Sequence, residues 1–149
     1  MRLVVQRVLE ASVKVNEEIV GEIENGLLVY LGICKGDNEE DLNYLFDKII
    51  NLRIFEDENE KMNKSLLDNN YSILLVSQFT LAGDCRKGRR PNFMNAEEPS
   101  KANELFKIFY KKCIDKNIKV QKGVFREHMM IHSINDGPVT ILLDSKKEF

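Results

Sequence analysis

The chain has 149 residues, 43% of them hydrophobic, with 22 basic against 24 acidic side chains and a formal net charge of -2. That is the size of one domain, 1–149, which buries roughly 70% of its unfolded surface and needs no disulfide or structural metal to hold its core. The same numbers exclude collagen, coiled coil and intrinsic disorder, and near-neutrality excludes a protein that coats nucleic acid through its whole surface.

Residues 2–33 read as an antiparallel meander. Leu3, Val5, Val8, Val13 and Val15 recur at strand spacing, then Ile19-Val20 and Ile23, with turn signals at Asn16-Glu17-Glu18 and Glu24-Asn25-Gly26. Residues 27–33 are apolar on both faces and predict a central strand. Asn38 then caps a predicted helix whose Leu42, Leu45, Phe46, Ile49 and Ile50 fall on one face. The polar stretch 56–70 reads as a hairpin or loop, and 71–77 as a buried strand. Pro99 suits a first helical turn, and Ala102, Leu105, Phe106, Phe109 and Cys113 repeat with helical period. Residues 118–121, 124–125, 129–134 and 139–143 are strand-like. With two main helices and no βαβ alternation, the expected class is α+β with a mostly antiparallel sheet.

The longest apolar runs, 73–76 and 26–33, fall far short of the roughly 20 residues a membrane-spanning helix needs. Arg2 and Arg7 interrupt the N-terminal apolar residues before a signal core forms, so a cytoplasmic protein without membrane contact is expected. Cys34, Cys85 and Cys113 fit neither a disulfide framework nor a zinc spacing and are expected to be reduced thiols.

General catalytic motifs fail one by one. Ser77 follows a strand, but Val76-Ser77-Gln78 lacks the glycines of a nucleophile elbow. Gly83 and Gly88 stand at phosphate-loop spacing, yet Arg89-Arg90 occupies the place of the required Lys and Ser or Thr. His128 and His132, four apart on a predicted strand, would be about 13 Å from each other and cannot share a metal. No metal and no cofactor are expected, and no general base is obvious.

Arg86, Lys87, Arg89 and Arg90 concentrate positive charge beside Phe93. Such a loop suits an RNA phosphate backbone, and equally a solvated surface loop. Asn135-Asp136-Gly137-Pro138-Val139-Thr140 reads as a turn between two strands. X-Pro bonds are cis in roughly 5% of cases in folded proteins, so propensity favours trans at Pro138.

Ser77-Gln78-Phe79-Thr80-Leu81 and Asn135-Asp136-Gly137-Pro138-Val139-Thr140, in this order and separation, resemble the two signature motifs of D-aminoacyl-tRNA deacylases. The start Met1-Arg2-Leu3-Val4-Val5-Gln6-Arg7-Val8 and the stretch from Lys87 to Phe93 extend the resemblance over essentially the whole chain. It departs at Gly123-Val124-Phe125, where the family continues with Gly-Ala and this chain has Arg126-Glu127-His128-Met129.

The resemblance implies a barrel-like core in a homodimer whose active sites lie at the subunit interface. It also implies hydrolysis of the ester between a D-amino acid and the terminal ribose of tRNA. The catalytic segment would be Ser77, Gln78, Phe79 and Thr80, with backbone N–H groups near Phe79 and Thr80 facing the reacting carbonyl and the ribose 2′-hydroxyl helping to activate water. Thr80 is expected to position rather than attack, because no adjacent base is apparent. Gly137-Pro138, as a cis dipeptide reaching across the dimer, would reject L-substrates, with Phe125 and Met129 in the adenosine pocket and Arg86, Lys87, Arg89 and Arg90 on the RNA. Glycyl-tRNA, which has no side chain to clash, would also be cleaved. The competing expectation is a non-catalytic nucleic-acid module, since some relatives of the family have been linked to DNA at replication origins.

Overall fold

The computed structural model describes residues 1–148. The fold is built on β1 (Arg2–Val15), which is long enough to take two partners along one edge. β2 (Glu18–Ile23) pairs with its second half and β3 (Gly26–Gly32) with its first, both antiparallel. The other edge is taken over almost its whole length by β8 (Met130–Asp144), also antiparallel. β3 therefore skips β2 and bonds to β1, so the first three strands are not a simple meander.

From β3 the sheet continues through two parallel pairings, to β6 (Ser72–Ser77) and then β7 (Val120–Lys122). β2 approaches β6 and β7, so the sheet curls almost closed. The chain crosses from β3 to β6 by way of α1 (Glu39–Asn51) and from β6 to β7 by way of α3 (Pro99–Asp115). Two βαβ-type crossovers are thus present where none was expected, although antiparallel pairs remain the majority. The first is hidden in the sequence because a hairpin, β4 (Phe55–Glu56) with β5 (Met62–Lys64), and a short helix, α2 (Leu66–Asn69), lie between α1 and β6. α2 is a third helix, set by a capping box between Ser65 and Asp68 inside the stretch expected to be hairpin or loop.

Both long helices follow their patterns. Asn38 Oδ1 accepts from the N–H groups of Glu40 and Asp41 at 2.8 and 3.3 Å, and Asp41 returns a carboxylate oxygen to the Asn38 N–H at 3.1 Å. Pro99 occupies the first turn of α3. All ten apolar positions assigned to the two inner faces are buried, and Phe46 meets Phe109 edge-on at 5.5 Å beneath the sheet.

Two elements of the C-terminal half differ from expectation. Val124 and Phe125 lie in a turn, closed by the Glu127 N–H donating to the Val124 carbonyl at 3.3 Å. The strand-like runs 129–134 and 139–143 form one strand, β8, so the motif between them is a bulge within a strand rather than a turn joining two. In register, Thr140 faces Gln6 and Asn135 faces Val8, leaving four residues of β8 opposite Arg7 alone. The Gly137–Pro138 peptide bond in that bulge is cis, against the propensity for trans.

Candidate active site

β6 ends at Ser77, and Gln78 leads into a 3-10 turn over Phe79–Ala82. The Gln78 N–H still extends the ladder to the Leu31 carbonyl at 2.8 Å, while the Leu81 and Gly83 N–H groups close back on Gln78 and Thr80 at 3.2 and 3.0 Å. The N–H groups of Phe79 and Thr80 have no hydrogen-bond partner among the described residues, as the opening donors of a helical turn lack one within it. Gly32 lets this turn sit tightly on β3, since a Cβ there would come within 2.7 Å of Leu81 Cβ and 2.9 Å of the Gln78 carbonyl oxygen. The Thr80 hydroxyl accepts a hydrogen bond from Gln78 Nε2, and no carboxylate or imidazole bonds to it among the described residues. Nothing observed would take its proton.

Beside the turn lies a hollow of about 590 Å³. Ser77, Gln78 and Phe79 line it together with Phe125 and Met129, so five residues singled out from two separate segments meet around one space. The exposed Phe79 ring packs edge-on against Phe93 at 5.2 Å, which makes an aromatic wall. Met129 is set by Gly123, where a Cβ would lie 2.4 Å from the Met129 sulfur. Thr80 is the next residue along the turn and is exposed.

Gly137 and Pro138 do not line this hollow; both are exposed on the β8 bulge. The bulge is held by two residues. Asn135 Nδ2 donates to the carbonyls of Arg7 and Val139 at 2.8 and 3.2 Å, closing its base. Arg7, 4% exposed, donates through Nε to the Asp136 carbonyl at 3.3 Å and pairs with the Asp136 carboxylate at 2.7 Å. Its Nη1 donates to the Ile54 carbonyl at 2.7 Å. The sequence shows Arg7 as a charge interrupting an apolar start and as part of the stretch Met1 to Val8 that carries the resemblance, but not as a structural anchor. Its signal was its phase: it continues the inward-facing series Leu3, Val5, and an arginine there must be buried and fully engaged.

The basic loop is exposed and lies outside the hollow. Arg86 grips Asp84 through two side-chain bonds, at 2.8 and 2.7 Å, and with its own N–H holds that carboxyl far below the usual carboxylate range. Lys87, Arg89 and Arg90 have no ion-pair partner among the described residues.

The family model described as D-Tyr-tRNA(Tyr) deacylase matches residues 4–144. The chain belongs to that family. Membership makes the protein a hydrolase of the ester bonds of D-aminoacyl-tRNA. The chain is 60% identical to the D-aminoacyl-tRNA deacylase of Halothermothrix orenii and 58% identical to those of Thermosipho africanus and Clostridioides difficile, in each case over all of both chains. Its fold is similar to a solved structure described as the c-Myc DNA unwinding element binding protein, with a TM-score of 0.91, 40% identity and coverage of 97% and 98% of the two chains. A probable eukaryotic D-amino acid tRNA deacylase, 19% identical, shares the fold at a TM-score of 0.78 over 96% and 98% of the chains. Among the described residues, no helix is long and apolar enough to cross a membrane.

Proposed function

We propose that the whole chain acts as one deacylase domain whose hollow holds the aminoacylated 3′ end of tRNA, with the reacting carbonyl at the Phe79–Thr80 turn. Water adds to the ester carbonyl, the ester C–O bond breaks, and the ribose hydroxyl leaves with a proton while the free amino acid departs. The observation that carries this reading is the pair of N–H groups on Phe79 and Thr80 that have no partner among the described residues. Such donors, fixed before the reaction, stabilise a developing oxyanion by roughly 3 kcal/mol each. Gln78 and Thr80 hold the turn and the substrate, and the ribose 2′-hydroxyl assists the attacking water. Phe125 and Met129 pack on the adenosine.

In the same reading, Gly137-Pro138 works in the hollow of a second chain. Support comes from the outward face of β8, where Met130, Ile134 and Leu142 expose 66%, 46% and 57% of their surface on the strand that bears the bulge. Main-chain atoms aimed at the α-carbon would leave no room for an L side chain, while D-amino acids and glycine fit. Lys87, Arg89 and Arg90, with Arg86 beside them, take the RNA backbone.

The decisive experiment compares hydrolysis of D-tyrosyl-, L-tyrosyl- and glycyl-tRNA by wild type and Pro138→Ala. Wild type cleaves the D and glycyl substrates and spares the L, and the variant narrows the D/L ratio. Equal cleavage of both enantiomers by wild type refutes the chirality argument. A second reading, binding to DNA without hydrolysis, is favoured by the similarity to the c-Myc DNA unwinding element binding protein at 40% identity. Salt-dependent DNA affinity with no deacylation would select it.

A further inference from the structure

The hollow is lined with acid, an odd surface for a polyanionic substrate. Glu97, Glu98 and Glu127 all border it. The Glu97 carboxylate is engaged by Lys101 Nζ at 2.7 Å, and that bond holds it below the usual carboxylate range. Glu98 and Glu127 have no ion-pair partner among the described residues. Arg126 is the single permanent cation among the lining residues, and it has no hydrogen-bond or ion-pair partner among the described residues.

Its backbone makes the arginine more conspicuous. Arg126 is the third residue of the turn closed between Val124 and Glu127, and its φ is 68°. That left-handed position is the one where glycine is at ease and an L side chain is strained. No hydrogen bond or ion pair of the side chain among the described residues offsets this strain.

We propose that Arg126 is a positioning residue that binds the 5′ phosphate of the terminal nucleotide as the 3′ end of tRNA enters the hollow. The inference rests on the deacylase reading and adds to it how a pocket lined by carboxylates accepts a polyanion. A guanidinium suits the task because its planar fork matches two phosphate oxygens at once. The tight turn fixes the root of the side chain at the rim, beside Phe125, which packs on the base in that reading.

The test separates phosphate binding from a local role by using substrates with and without the phosphate: D-tyrosyl-tRNA and D-tyrosyl-adenosine. Arg126→Gly is expected to raise KM for D-tyrosyl-tRNA about tenfold with kcat within about twofold, the pattern of lost binding shared by ground and transition states. The slope of log kcat/KM against log salt flattens by about 0.7, one phosphate contact on a single strand. Hydrolysis of D-tyrosyl-adenosine is unchanged, and Arg126→Lys recovers part of the loss. As a second readout, AMP competes with D-tyrosyl-tRNA about tenfold better than adenosine does in wild type, and Arg126→Gly makes the two equal. Equal losses on both substrates, or no loss on either with AMP still preferred, overturn the inference while leaving the deacylase reading intact. A wild type that hydrolyses neither D-substrate overturns both.

Discussion

Replacing Arg7 by methionine tests whether the β8 bulge is a rigid feature or an adaptable loop. Methionine keeps the apolar stem and removes the guanidinium. Four contacts go with it: the Ile54 carbonyl at 2.7 Å, the Asp136 carbonyl at 3.3 Å, the Asp136 carboxylate at 2.7 Å and the Glu56 carboxylate at 3.7 Å. The Asp136 and Glu56 carboxylates are 40% and 53% exposed and regain water, so their share is small. A buried carbonyl left without a donor costs about 1–3 kcal/mol, and the Ile54 contact is the short, buried one. Taking about 2 kcal/mol for Ile54 and about 1 for Asp136 gives a destabilisation of about 3 kcal/mol. In a chain of this length that lowers Tm by roughly 6–12 °C. Urea unfolding gives the free energy, and deacylation of D- and L-tyrosyl-tRNA at a temperature where the variant is folded gives the selectivity. Asp136→Asn, which leaves both carbonyl contacts in place, is expected to cost less than about 1 kcal/mol. A loss below about 1 kcal/mol in Arg7→Met with an unchanged D/L ratio would show that Arg7 does not hold the bulge.

Thr80→Ala should retain single-turnover deacylation within about tenfold of wild type, because the hydroxyl accepts a hydrogen bond from Gln78 and no base is bonded to it. A collapse to the uncatalysed rate with folding and tRNA binding intact would restore Thr80 as nucleophile. A thiol reagent should label the exposed Cys85 first and the half-buried Cys34 more slowly, since burial raises the Cys34 thiol. Cys113, pushed up to about 12 by burial, should be labelled only on unfolding, as mass spectrometry would show. Burial pushes the Asp41 carboxyl up, but bonds from Lys146, Ser145 and the Asn38 N–H outweigh it and leave it lowered in the folded chain. The stabilisation is therefore full above the unfolded value of about 4 and disappears as pH falls through the folded one. Denaturation of Asp41→Asn and wild type should differ at pH 7 and converge in acid; a constant gap would contradict the assignment.

What the residues revealed in advance was set by how local the cause is. α1 and α3 depend on a cap, a proline and an apolar stripe, all within a dozen or so neighbouring residues, and both formed where the pattern put them. Pairing partners are a different matter. β3 bonds to β1 rather than β2 because β1 is long enough for two partners, and nothing near residue 27 carries that information. The parallel pairing of β3 with β6 is equally distant in sequence, across a hairpin and a four-residue helix. In the site, Ser77 to Phe79, Phe125 and Met129 were legible as motif residues, but their meeting in one hollow needed the fold. The left-handed backbone at Arg126 had no signal in a run of ordinary polar residues, apart from the departure from Gly-Ala at that point.

The same strand also explains why the site reads as two unrelated halves. Ile131, near the start of β8, lines the hollow, and Gly137 comes six residues later on a strand that advances about 3.3 Å per residue. Even allowing for the bulge, Gly137-Pro138 stands about 15–20 Å along the strand from Ile131. Gly137 and Pro138 do not line the hollow that holds the aminoacyl group in the proposed reading. In the proposed reading, recognition of handedness by Gly137-Pro138 draws on a second chain, whereas hydrolysis at the Phe79–Thr80 turn draws its donors from one. Loss of pairing between chains should thus abolish enantiomer sorting by a route that loss of the turn does not share.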